Sequence, residues 1–92
     1  MAQIITSFVD DAPVQVATLR RAVEDGDAPA AQRAAHTMKG SAATIGVNAV
    51  ARLAEVAEAR GRQGSLEGLS PTVDAIETAM DQGVDALVDV LR

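Results

Sequence analysis

Apolar residues recur at helical spacing through four stretches of this chain. In the first, from about Gln3 to Glu24, Ile5, Phe8, Ala12, Val16, Leu19 and Val23 fall three or four residues apart, the period of a helix with one buried face. Pro13 interrupts the pattern. A proline removes one helical hydrogen bond and crowds the preceding turn, yet suits a first turn well. A kink or break is therefore expected between Asp10 and Pro13, with Asp10 or Asp11 capping the longer piece. Asp25-Gly26-Asp27 ends this stretch and begins the next. The second stretch, from about Ala28 to Ile45, turns Ala31, Ala34, Ala35, Met38, Ala42 and Ile45 inward. Gly46 and Asn48 mark a turn. The third, from about Asn48 to Arg60, buries Val50, Leu53, Ala54 and Ala57. Gly61, Gly64, Ser65 and Gly68 form the longest loop, and Ser70-Pro71 reads as a helix cap followed by proline at the first helical position. The fourth stretch carries Val73, Ile76, Met80, Val84, Leu87, Val88 and Leu91 on one side, and a solvated row of Asp74, Glu77, Asp81 and Asp85 on the other.

Four such helices with short connections predict an all-α fold, an antiparallel up-down-up-down four-helix bundle forming a single domain over residues 1–92. A helical hairpin completed by a partner chain is the alternative. Composition agrees with the bundle. The apolar content is mostly Ala, Val and Leu, Phe8 is the sole aromatic, and a β-sandwich would carry more Thr, Tyr and Phe. Met1, Met38 and Met80 read as core or terminal residues.

Charge and residue content narrow the function. The net charge of −5 and the lack of an aromatic platform argue against nucleic acid as a partner. Without cysteine, and with a single histidine, neither a disulfide nor a zinc site is available. No cofactor is expected. No apolar run approaches ~20 residues, and the start lacks the basic n-region of a signal peptide, so a cytoplasmic location without membrane contact is expected. A start almost directly on the first helix suits a domain cut from a larger chain, a free-standing protein being the alternative.

His36, the only histidine, lies two residues from both Ala34 and Met38, roughly 200° around the helix from each, and so points away from the buried stripe. Gln32, Arg33, Lys39, Gly40 and Ala43 share its side. Lys39, the only lysine, is three residues on, which places it on the same face. Gly40 costs roughly 1 kcal/mol against alanine inside a helix. A helix stop at Gly40 would leave too few residues before Gly46 for another helix, so the helix is expected to run through. The result is a bare, cation-edged platform beside an exposed imidazole. The lysine disfavours the imidazolium form and so keeps a nitrogen lone pair free for attack. It also offsets charge on an incoming phosphoryl group.

The segment Ala35-His36-Thr37-Met38-Lys39-Gly40-Ser41-Ala42-Ala43-Thr44-Ile45-Gly46 resembles the signature of histidine-containing phosphotransfer (HPt) domains. That signature is histidine, leucine or methionine, Lys-Gly-Ser, a small-residue spacer, an aliphatic residue and glycine. The resemblance extends through Leu53-Ala54 to Glu58, and back to Phe8 and the Gly26-Asp27 turn. It implies that His36 is the phosphoacceptor through its outer nitrogen, that Lys39 neutralises phosphoryl charge, and that Gly40 admits a receiver domain's active site. Glu58 and Arg62 match places near the end of the third helix where relatives carry a polar residue and an arginine. Glu58 is anionic where several relatives have glutamine. The implied role is a monomeric phosphorelay intermediate, its partners being response-regulator receiver domains that supply the Mg²⁺. It implies no ATP-dependent kinase activity, and no glycine-rich nucleotide loop is present.

Two other readings compete. The dimerisation helices of a sensor kinase place an acidic residue directly after the histidine and a proline further on. Thr37 and the lack of proline between His36 and Ser70 disagree with both features. A helical interaction module without phosphotransfer leaves His36 beside Lys39 unexplained.

Overall fold

The computed structural model describes residues 2–91, and Met1 lies outside them. Four helices account for most of the chain: α1 (Ala2–Glu24), α2 (Ala28–Ile45), α3 (Asn48–Arg62) and α4 (Ser70–Leu91). Each packs on its neighbours in a ring, α1 on α2, α2 on α3, α3 on α4 and α4 back on α1, with α2 and α3 in the most extensive contact. Together they make an elongated up-down-up-down bundle of 41 × 18 × 18 Å.

The predicted stripes form the core. Phe8, Ala12, Val16 and Leu19 of α1 meet Ala31, Ala35, Met38 and Ala42 of α2, Val50, Ala54 and Ala57 of α3, and Val73, Ile76 and Met80 of α4. Val23 is only partly buried, and Ala22 takes the inward position in its turn. Beyond Met80 the stripe of α4 loosens: Val84 and Leu87 are half-buried, and Leu91 is exposed.

Three boundaries differ from the sequence reading. First, α1 runs unbroken through Pro13. A proline costs an interior helix the hydrogen bond to the carbonyl four residues back, here Val9. The neighbouring Phe8, Ala12 and Val16 are all buried, and their shared face holds both halves on one axis. Second, α3 continues to Arg62, so Gly61 is helical rather than part of the loop. Third, α4 begins one residue early. The Leu69 carbonyl accepts from the Val73 amide at 2.9 Å, so buried Leu69 takes the capping place and Ser70 lies inside the helix.

Local chemistry sets the turns that position α2. Gly26 (φ 69°) and Gly46 (φ 89°) adopt the left-handed conformation just past α1 and α2. The amides of Asp27 and Val47 return to the carbonyls of Ala22 and Ala42, at 2.9 and 2.8 Å, closing each helix in a Schellman turn. Asp27 then caps α2 by accepting from the Ala30 amide at 3.1 Å. The α3–α4 loop is held by the Arg60 guanidinium, which donates to the carbonyls of Ser65 and Glu67. On α4, exposed Asp74 and Glu77 accept from Arg20 of α1 at 2.9 and 3.1 Å, so half of the acidic row ties two helices together.

Candidate functional site

The site begins with small residues. Ala31, Ala35 and Ala42 on α2 face Ala54, Ala57 and Gly61 on α3, and all are buried. A Cβ added at Gly61 would lie 2.8 Å from the Gln32 nitrogen, so the two backbones touch there. This close approach encloses Glu58, one turn earlier on α3, whose side chain is only 6% exposed.

Glu58 receives three cationic or titratable groups. The Lys39 ammonium donates to Oε1 at 2.6 Å, the Nδ1 of His36 lies 2.7 Å from Oε2, and the Arg62 guanidinium stands 3.5 Å from Oε2. The hydrogen bond from Lys39 is the largest cause holding the Glu58 carboxyl below its ordinary range, and that from His36 acts the same way; burial opposes both. Glu58 is therefore an ionised carboxylate at neutral pH, and a carboxylate only accepts. In its neutral form the imidazole then carries its proton on Nδ1, as the donor to Oε2. The other ring nitrogen, Nε2, keeps its lone pair and belongs to a side chain 70% exposed.

The other predicted site residues surround this contact. The backbone of Gln32 packs on Gly61. Exposed Arg33 joins Pro29, Gln32, His36, Thr37 and Glu58 in lining an open cleft. Gly40 sits inside α2, exposed, and a Cβ added there would meet nothing within 4 Å. Ala43 is exposed one turn further on. Beyond Gly40, a groove lined by Ile4, Phe8, Thr44 and Ile45 runs between α1 and α2. Lys39 differs from the sequence reading: it is engaged by Glu58 rather than standing as a free cation at the platform edge. Glu58 likewise faces Nδ1 and Lys39, inside the helix interface, and not the open side of the imidazole. The signal for this was its place beside Ala57, at the edge of the buried stripe of α3.

The chemistry available is that of an exposed nitrogen nucleophile whose second nitrogen is anchored by a buried carboxylate. An all-helical bundle carrying such a histidine on its second helix is the class of protein at hand. The family model for the Hpt domain matches residues 3–89, and the chain belongs to that family, whose members are phosphotransfer intermediates of two-component phosphorelays. No curated protein matches the chain. Among solved structures it is similar to the HPt domain of a sensor hybrid histidine kinase from Shewanella, with a TM-score of 0.84 and 22% identity, over 98% of this chain and 78% of that one. At this identity the likeness speaks for the fold alone.

Proposed function

We propose that this domain accepts a phosphoryl group on Nε2 of His36 from the aspartyl phosphate of a receiver domain and returns it to the aspartate of another. The observation that carries this is the anchoring of Nδ1 by Glu58, which leaves Nε2 as the exposed nucleophile. In transfer, the Nε2 lone pair forms the N–P bond as the acyl phosphate P–O bond breaks, and the aspartate carboxylate departs with that electron pair. The ring becomes cationic and keeps its proton on Nδ1, where the Glu58 carboxylate balances the new charge. The reverse step uses the same groups.

Charge then redistributes without a net gain of buried charge. Before transfer, Glu58 is balanced by Lys39. Afterwards the cationic ring takes that place, and the Lys39 ammonium, on a flexible stem one turn from His36, is released toward the phosphoryl oxygens. This reconciles the resting pair with the role that the family resemblance implies for Lys39. The one carboxylate at His36 is already committed to Nδ1 and Lys39, so a Mg²⁺ ion assisting transfer belongs to the receiver. Gly40 and Ala43 leave the approach to Nε2 open, and the domain works as a cytoplasmic monomer.

The test is label transfer from phosphorylated receiver domains to the parent and to His36→Gln. The variant is expected to keep its helical circular dichroism and take no label. Undiminished labelling of the variant would refute the assignment, and a dimer by light scattering would refute the monomer.

A further inference from the structure

In a chain of net charge −5, free cationic side chains are scarce. Among the described residues, Arg20 pairs with Asp74 and Glu77, Arg21 with Asp25, and Lys39 with Glu58, while Arg60 is spent on loop carbonyls. Arg33 and Arg52 make no ion pair, and Arg62 makes only the 3.5 Å contact to a carboxylate already bound at shorter range. Two of these three stand near His36, both toward the start of α2. Arg33 lies one turn before it on α2, in the wall of the cleft that His36 and Glu58 also line. Arg62 lies one turn after Glu58 on α3, its side chain 61% exposed. The other end of the platform is bare at Gly40 and Ala43, then opens into a groove of mixed polar and apolar lining that carries Asp11 and no cation. The surface around His36 is thus polarised in charge, with guanidinium groups at one end and none at the other.

We infer that Arg33 and Arg62 form a cationic clamp for the acidic rim of the incoming receiver domain, steering its approach and fixing its orientation over His36. This rests on the phosphorelay reading above. The partner's chemistry provides the complement. A protein that presents an aspartyl phosphate and carries Mg²⁺ does so with clustered carboxylates, so its face is anionic around the reacting group. Two exposed guanidiniums contribute mainly to the association rate, and their effect is screened by salt. Because both lie on the same side of His36, they also favour one docking orientation, with the partner's acidic rim turned away from the Gly40 end.

The experiment compares the parent, the double variant Arg33→Gln/Arg62→Gln, and Arg52→Glu. Both variants change the net charge from −5 to −7, since two lost cations and one reversed cation each remove two units. Arg52 lies about 200° around α3 from buried Ala54 and faces outward. Each protein is phosphorylated in two ways: by phosphoramidate, which needs no docking and releases ammonia as Nε2 takes the phosphoryl group, and by a phosphorylated receiver domain that labels the parent. The receiver rate of the double variant, divided by its own phosphoramidate rate so that any change passed from Arg62 through Glu58 cancels, is expected to fall about 10-fold below the parent ratio at low salt, within the range of electrostatic steering. That deficit shrinks at high salt, and Arg52→Glu stays within about two-fold of the parent. Equal receiver rates for all three, or equal deficits in the two variants, would overturn the clamp. So would a matching loss with phosphoramidate in a folded double variant, because the arginines would then act on the phosphoryl group itself. A parent that phosphoramidate leaves unlabelled at His36 would bring down the phosphorelay reading as well, which separates the two failures.

Discussion

Replacing Glu58 by glutamine keeps the size of the side chain and removes its charge. The parent carboxylate accepts from Lys39 at 2.6 Å and from His36 at 2.7 Å in a nearly closed interface. Each charge-assisted bond of this kind contributes about 1.5–3 kcal/mol. The amide cannot replace both, because it has one acceptor oxygen and one donor nitrogen for two donors. If the oxygen stays with Lys39, the amide NH₂ faces Nδ1 and favours a proton on Nε2, the nitrogen that must attack. If the oxygen turns to His36, the NH₂ faces an ammonium. Against these losses stands the cost of burying a carboxylate, several kcal/mol, which the variant avoids. Lys39 and His36 can also rehydrate, being 33% and 70% exposed. The net expectation is a destabilisation of about 1–2 kcal/mol, or a fall in Tm of about 5–15 °C for a domain of this size. Transfer should slow by about 10- to 100-fold, the usual loss when a histidine's orienting partner is removed at a metal site. The ¹⁵N shifts of the imidazole report the tautomer directly, thermal melts report stability, and a receiver assay reports the rate. An unchanged tautomer together with the parent transfer rate would refute the reasoning, whatever the melt shows.

Four further outcomes are expected. Because the folded-state pKa of Glu58 is lowered, its contribution to stability is complete above the unfolded value of about 4.3 and is lost as the pH falls through the folded value; the stability gap between the parent and Glu58→Gln should therefore close in acid below about pH 4, as read by urea denaturation across pH. Gly61→Ala should cost about 1–3 kcal/mol by forcing α3 away from Gln32, measured by the urea midpoint, and should also slow transfer because Glu58 moves with its helix. Gly40→Ala should raise stability by up to about 1 kcal/mol with little effect on rate, whereas Gly40→Gln should slow receiver transfer but not phosphoramidate labelling. Pro13→Ala should stabilise the domain by about 1–2 kcal/mol, since it restores a bond to the Val9 carbonyl worth more than the unfolded-state entropy it gives back; a lower Tm would show that α1 needs the proline.

The periodicity of Ala, Val and Leu carried the four helices and nearly all of the core, because in a bundle of this size each helix has one buried stripe and short connections leave one sensible arrangement. Pro13 misled for a reason that lies outside its own helix: tertiary burial of Phe8, Ala12 and Val16 outweighs a single missing bond. Gly61 misled in a similar way. A glycine near a helix end with Gly64, Ser65 and Gly68 to follow reads as loop, and only the opposing Gln32 backbone explains why it stays helical. At the site, the shared face of His36, Lys39 and Gly40 followed from residue spacing alone. What Glu58 touches did not, since it depends on how α3 is rotated against α2. Twenty-two residues separate Glu58 from His36, and no local rule links them.

The two glycines held inside α2 and α3 show how structure and function divide on this surface. Each costs its helix roughly 1 kcal/mol relative to alanine. At Gly61 the molecule recovers that cost internally. The backbone of Gln32 fills the space a Cβ would need, the helices close together, and Glu58 is thereby buried against the imidazole. At Gly40 nothing within the molecule offers a return, because a Cβ there would touch no atom within 4 Å and the residue faces solvent. This supports the proposal that Gly40 serves a partner approaching from outside, one turn from His36 and on the same face. Packing explains the first glycine completely and the second not at all. That difference supports the proposal that the His36–Gly40 face, rather than the Glu58–Gly61 face, is the one offered to a partner.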